Sequence, residues 1–329
     1  MSFKYFALAA AFCAIALPAI GQDKPVLTVY AYDSFAAEWG PGPALKEGFE
    51  KTCGCTVNFS TSEDAISTLR KVQLEGAASP ADVVVGLDTA TIPEARRTGL
   101  FAAHELTLPK LTLEWTDADF VPFDYGYFAF VYNKQKTPNP PTSFEELIAL
   151  PPSFKIVIED PRSSTPGLGN VIWVREAYGD RAPEIWRGLK PHILTISRGW
   201  SEAYGLFLDG QADMVLSYTT SPAYHAIADK DDSYGYAPFT EGFVPQVEVA
   251  GVLKTAKQPE LARQFLAYLV TEEAQTVIPT TNWMYPVLDI GDALAPEFGP
   301  PPERVLNVDE GELNEQMRAW VDEALAALQ

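Results

Sequence analysis

The sequence predicts an α/β fold of mixed sheets flanked by helices and divided into two lobes around a cleft. Three observations predict it. Short β-rich runs alternate with amphipathic helical stretches along most of the chain, the pattern of a parallel or mixed sheet covered on both faces. Residues 81–86 (ADVVVG) read as an apolar run, interrupted only by Asp82 near its start, as expected of a strand buried on both faces. Two longer strand-like runs, 120–132 (FVPFDYGYFAFVY) and 244–254 (VPQVEVAGVLK), break the rhythm and read as crossovers between lobes. The 329 residues suffice for two lobes of ordinary size, and 47% hydrophobic with 21% charged residues allows a large core.

Taken in order, residues 1–21 are set apart from the fold. Lys4 precedes an apolar run, 5–17, that is too short to span a bilayer comfortably, and Ala19-Ile20-Gly21 offers small residues at the two positions a signal peptidase reads. Cleavage after Gly21 is expected. Phe12, rather than a small residue, precedes Cys13, so a soluble exported protein is expected over a lipid-anchored one. Loss of Lys4 takes the formal charge from -20 to -21. Such acidity disfavours nucleic acid and anionic lipid surfaces and favours cationic ligands at long range.

Residues 26–32 (VLTVYAY) form the first predicted strand, with Tyr32 at its carboxyl end. A helix over 43–51, a strand over 56–60 and a helix over 65–75 follow. The only cysteines of the mature chain, Cys53 and Cys55, lie between the first helix and the second strand. Side chains two apart on an extended segment share a face, so a local disulfide is expected, with a redox role as the alternative. After the strand at 81–86, a helix spans 88–100. Beyond the first crossover, Ser143 and Glu146 have capping-box spacing for a helix ending near Leu150. A strand at 155–159, helices at 169–178 and 183–189 and a strand at 193–197 come next. A helix at 201–210 and a buried strand at 212–218 follow. After the second crossover, one long helix is expected over 259–278, a loop over 296–302 and a terminal amphipathic helix over 312–328. The expected lobes are 22–124 with 248–329, and 125–247.

Candidate functional residues gather at strand ends, where open α/β sheets bind ligands. The strand at 212–218 ends in Tyr218, Thr219, Thr220 and Ser221, with Trp200 just upstream and Tyr224 just beyond. Tyr32 and the loop 281–286, with Trp283 and Tyr285, add further aromatics. Flat rings stack on heteroaromatic ligands and attract cations by roughly 0.5–2 kcal/mol each. Singly, each ring reads as core; four or more at strand ends point to a site. Residues 160–169 (DPRSSTPGLG) follow a strand and precede a helix, so their N–H groups and hydroxyls suit an anion or serve as plain caps. Asp64 and Asp124 could pair with a ligand amine or serve as solvated turn residues. His104, His192 and His225 are scattered without metal-ligand spacing, which speaks against zinc or non-haem iron chemistry. No nucleophile–base pair is evident, so binding is expected rather than catalysis.

Several segments resemble the periplasmic thiamine-binding proteins of bacterial ABC importers: 27–46, 81–88, 120–134, 160–169, 198–210, 215–225 and 278–287. The resemblance covers nearly the whole mature chain except the tail after Val287. It implies the two-lobe type II periplasmic binding protein fold, periplasmic location and no cofactor. The implied ligand is thiamine, its monophosphate or its diphosphate. The implied partners are a membrane permease and its ATPase, with the protein itself a monomer. It further implies first-lobe contacts from Asp64 and Ala65, the latter where the family has glycine. Ser164 and Thr165 would be donors to the hydroxyethyl or phosphate end. Trp200 and Tyr218 to Ser221 would be contacts from the second lobe, Tyr32, Tyr224 and Trp283 would cover the rings, and Asn282 would be a further ligand contact. Other occupants of this scaffold are ferric ion, phosphonate or a polyamine. Ferric binders use adjacent tyrosines, but Thr219 follows Tyr218 here. Thiamine-degrading enzymes of similar fold use a cysteine nucleophile, whereas Cys53 and Cys55 sit together in a loop.

Overall fold

The computed structural model describes residues 24–329, so the expected signal peptide at 1–21 lies outside the described residues. Strand β1 (Val26–Tyr32) leads through a short helix α1 (Asp33–Ala36) into α2 (Pro41–Cys53), then β2 (Thr56–Ser62), α3 (Ala65–Glu75), β3 (Val83–Asp88) and α4 (Ile92–Arg97). The two-residue β4 (Phe101–Ala102) precedes the fourteen-residue β5 (Phe120–Asn133). Then come α5 (Phe144–Ala149), β6 (Ile156–Glu159), α6 (Thr165–Tyr178), α7 (Ala182–Leu189), β7 (Ile193–Ser197), α8 (Trp200–Leu208) and β8 (Met214–Tyr218). The chain continues through α9 (Ser221–Tyr224), β9 (Tyr234–Tyr236), β10 (Pro245–Leu253), α10 (Pro259–Leu269), α11 (Glu272–Thr281), β11 (Tyr285–Pro286) and α12 (Glu310–Leu328).

These strands join in the order β2-β1-β3-β10-β5-β8-β6-β7, with β4 on β10 and both β9 and β11 on β5. The β1–β2, β1–β3, β6–β7 and β6–β8 pairs are parallel, whereas β10 and β5 run antiparallel to their neighbours. The first half of β5 pairs with β10 and its second half with β8 and β9, so β5 passes from one half of the sheet to the other. Each half has its own core. Leu27, Val29, Phe35, Val83, Phe123 and Phe265 pack in one, and Phe130, Phe144, Ile158, Trp173, Ile185 and Leu216 in the other.

Two irregularities in this sheet matter for function. Beside β10 the pairing skips Gly86 on β3 and Phe123 on β5, next to Val249. Gly86 has φ +97°, and a Cβ there would meet the Tyr32 ring at 2.3 Å, so only glycine lets that ring lie against β3. Pro122 has no N–H to give the ladder and sits at the β5 irregularity, where its loss is tolerated. Bulges re-aim side chains next to sites. Here they bring Asp88, Glu248 and Asp124 into line across three adjacent strands.

The sequence expectations need four corrections. The single helix expected over 259–278 is two, because the chain leaves helical geometry at Val270 and Thr271 caps α11 through Ala274 N. The helix expected over 88–100 is confined to α4, since Asp88 and Thr91 close a hydrogen-bonded turn ahead of it. The expected lobe assignment of 248–329 does not hold for α12: Leu313, Trp320 and Ala324 pack in the core with Trp173 and Ile185. The Cys53–Cys55 disulfide is present, but not on an extended segment. Cys53 ends α2 and Gly54 turns the chain left-handed at φ 62°, which folds the two sulfurs together.

Candidate functional site

A cavity of 540 Å³ lies between the two halves, at the carboxyl ends of β1 and β8 and the N-terminal ends of α3, α6 and α8. Of the residues singled out from the sequence, Tyr32, Asp64, Thr165, Trp200, Tyr218, Ser221, Tyr224, Asn282 and Trp283 line it. Ala65, Ser164, Thr219 and Thr220 do not. Each is buried within or just before a helix turn, so their contribution is to the shape of the walls. Sequence reasoning missed Trp39, Tyr204, Glu248 and Met284, all of which line the space. Glu248 left a trace: with Gln246 it puts two polar residues on one face of an otherwise apolar strand. Trp39 left none, because an exposed loop tryptophan has no periodicity to betray it.

The aromatic walls come from both halves. Trp200 opens α8 and stacks on Tyr204 with centroids 4.8 Å apart, and Trp39 from the other half lies 6.4 Å from Trp200. Trp200 Nε1 donates to Ser217 Oγ at 2.8 Å, and that hydroxyl meets Ser221 Oγ at 2.8 Å, which fixes the indole plane. Opposite, Tyr224 and Trp283 meet edge to face at 5.2 Å. Trp283 sits one residue past the α11 cap Asn282 with φ 57°, a left-handed position that usually belongs to glycine. A tryptophan held there costs of order 1–2 kcal/mol, and such strain clusters at ligand clamps. Behind Tyr204, His225 receives the phenol at 2.9 Å and is itself held by Asp229 at 3.0 Å; burial lowers its pKa.

Three helix N-termini converge on Asp64. It caps α3 by accepting from Ala65 N at 2.7 Å, and its other oxygen accepts from Trp200 N at 3.1 Å, across the cleft. Thr165 N, at the start of α6, lies 3.5 Å away. Burial lifts the Asp64 carboxyl to about 6 against the pull of these N–H groups. Further bonds join the halves nearby: Ser67 N to Ser163 O at 3.0 Å, Ser201 Oγ to Asp33 at 3.0 Å and Arg198 to Glu63 at 3.0 Å.

The floor is acidic. Tyr32 Oη donates to Glu248 Oε2 at 2.8 Å and accepts from Asn282 Nδ2 at 3.1 Å. That amide also donates to Asp124 Oδ2 at 2.6 Å. Burial raises Asp124 to about 8. Burial, then Asp124, hold Glu248 well above the carboxylate range, and burial with Glu248 raises Tyr32. Two carboxylates, Asp64 and Glu248, line the cavity, and no lysine, arginine or histidine does so among the described residues. Rings above and carboxylates below suit a flat, positively charged organic molecule. No group of three His, Cys, Asp or Glu able to hold a metal occurs among the described residues. No described helix is long and apolar enough to cross a membrane.

Comparison with known proteins agrees with this geometry. The model of the bacterial extracellular solute-binding protein family matches residues 32–276. The thiamine-binding periplasmic protein of Escherichia coli K12 is 48% identical over 302 residues, 91% of this chain and 92% of that one. The Brucella suis protein of the same name is 47% identical over 320 residues, 96% of each chain. A solved periplasmic thiamin binding protein superposes with a TM-score of 0.90 at 47% identity, covering 93% of this chain and 97% of that one. The fold is therefore the two-lobe type II periplasmic binding fold, and the chain belongs to the bacterial extracellular solute-binding protein family.

Proposed function

We propose that this protein captures thiamine, or thiamine phosphates, in the periplasm and delivers it to the permease and ATPase of an ABC importer. In this reading it is a receptor rather than an enzyme. The observation that carries it is the cleft between the two halves, walled by aromatic rings and floored by carboxylates with no basic group. Thiamine offers two flat heterocycles and a fixed positive charge on the thiazolium. Trp200, Tyr224 and Trp283 would cover the rings, while Asp64 and Glu248 face the charge. Thr165 and the α6 N-terminus supply donors for the hydroxyethyl arm or a phosphate. The names of the relatives support the same ligand. The two-lobe division accounts for closure, and the chain is exported with its leader removed after Gly21.

The test is a tryptophan-fluorescence titration of the ligand-free mature protein with thiamine, its mono- and diphosphate, and a pyrimidine fragment lacking the thiazolium. Saturable quenching by thiamine, weakened in Trp200→Ala and absent with the fragment, is expected. Silence toward every thiamine form, repeated by calorimetry, would overturn the reading while leaving the fold intact.

A further inference from the structure

Strand register places three carboxylates side by side where a sheet tolerates them badly. Glu248 on β10 is the direct partner of Asp88 on β3 and of Asp124 on β5. Like charges directly opposite one another destabilise a sheet. All three are buried, at 1%, 6% and 0% exposure for Asp88, Glu248 and Asp124. Among the described residues no lysine, arginine or histidine bonds to any of them. Asp88 is satisfied locally by Thr91 N at 2.9 Å. Asp124 is not: Oδ2 receives Asn282, while Oδ1 is buried with no partner. Glu248 faces the cavity directly, with Gln246 Nε2 at 3.2 Å and the Tyr32 hydroxyl at 2.8 Å as its donors. Uncompensated buried carboxylates either find a cation or hold protons.

We infer that the chain Asp124–Asn282–Tyr32–Glu248 exchanges a proton for an organic cation, holding the proton when the cleft is empty and releasing it to solvent when the cation binds. This rests on the cation reading proposed above and assigns its charge selection to Glu248. The balance is simple: one carboxylic O–H ionises, the proton goes to buffer, the ligand brings its fixed positive charge, and the net charge of the site is unchanged. The acidic groups facing this chain all favour the protonated form, while the hydrogen bonds from Tyr32 to Glu248 and from Asn282 to Asp124 pull the other way. Tyr32 on β1, Asp88 on β3, Tyr218 on β8 and Asp64 at the head of α3 are neutral or acidic, and Glu159 on β6 adds a further buried carboxyl behind Tyr218. Burial raises Asp124 and Glu248 together, so the pair favours holding a proton in the empty cleft. A cation close to Glu248 favours the ionised form and drives it off.

Calorimetric titration of thiamine at pH 7, in buffers of widely different ionisation enthalpy, counts the protons released. Wild type is expected to release about one proton per thiamine, and its affinity to rise by up to about 10-fold per pH unit between pH 6 and 8. Glu248→Gln and Asp124→Asn, each checked for native circular dichroism, are expected to lose most of that release. Glu248→Gln should also weaken thiamine by about 10-fold or more at pH 8. Thiamine binding with the same heat in every buffer would overturn this inference and leave the receptor reading standing. Undiminished release in both variants would overturn it equally. No binding of thiamine at all would overturn the receptor reading, and this inference with it.

Discussion

Asp64→Asn should make the ligand-free protein relatively more stable as pH rises, although it removes a charge from the meeting point of three helix N-termini. The Asp64 carboxyl has a folded pKa of about 6, raised chiefly by burial, against about 4 when unfolded. A carboxyl raised on folding contributes stability that is fully present below its unfolded pKa and lost as pH climbs through the folded one. Asparagine keeps one acceptor oxygen, enough for the cap, and turns its amide NH2 toward the other N–H, a cost that does not vary with pH because the amide does not titrate. The gap between variant and wild type should therefore widen in favour of the variant by about 1.4 kcal/mol between pH 5 and pH 8, roughly 2–3 °C in midpoint for a chain of this size. Asp64→Ala is the control. It loses the cap, worth about 1 kcal/mol, and orphans the buried Trp200 N–H at a further 1–3 kcal/mol or so, at every pH. Thermal unfolding of wild type and both variants at pH 5, 6.5 and 8 reads all of this. A gap that stays constant, or widens in favour of wild type, would mean that the converging N–H groups outweigh burial, and the reasoning fails.

Three more outcomes follow from the same structure. The ligand-free protein should lose stability from pH 6.5 to 8, because Asp124 and Glu248 are raised on folding; the slope approaches 1.4 kcal/mol per pH unit for each proton held, and denaturant titration should find it flatter with saturating thiamine. Trp283→Gly relieves a left-handed tryptophan, so unfolding midpoints should stay level or rise by the equivalent of up to about 1 kcal/mol while thiamine affinity falls about 10-fold or more. Gly167→Ala should cost about 2–3 kcal/mol by chemical denaturation, since its Cβ would lie 2.5 Å from the Glu159 carbonyl oxygen and backbone on both sides cannot yield.

Most of the fold is legible in the sequence because its signals are local. The spans of α3 and β7 are readable to the residue: Asp64 caps one, and the other is a short β-rich run before Gly199. The break between α10 and α11 is hidden because neither glycine nor proline marks it and helix-forming Glu272, Glu273 and Ala274 follow at once, while the capping by Thr271 is visible only in three dimensions. The position of α12 was hidden for a related reason. Its apolar stripe says that it packs, and only the tertiary fold says that it packs on Trp173 and Ile185.

The site divides along the same line. Rings at strand ends can be found from the chain, since Tyr32, Tyr218 and Tyr224 stand next to the signals that end a strand or start a helix. The acidic floor cannot, because it is made by register. Asp88, Asp124 and Glu248 lie far apart in sequence, and two skipped residues beside β10 decide that they face one another. A slip of one residue in either ladder would turn a carboxylate to the other face of the sheet. Gly86 and Pro122 are what hold those registers. Gly86 lets the Tyr32 ring lie over β3, and Pro122 sits where the ladder asks for no donor. The specificity of the cleft for charge is thus encoded less in its acidic residues than in the irregularities that bring them together.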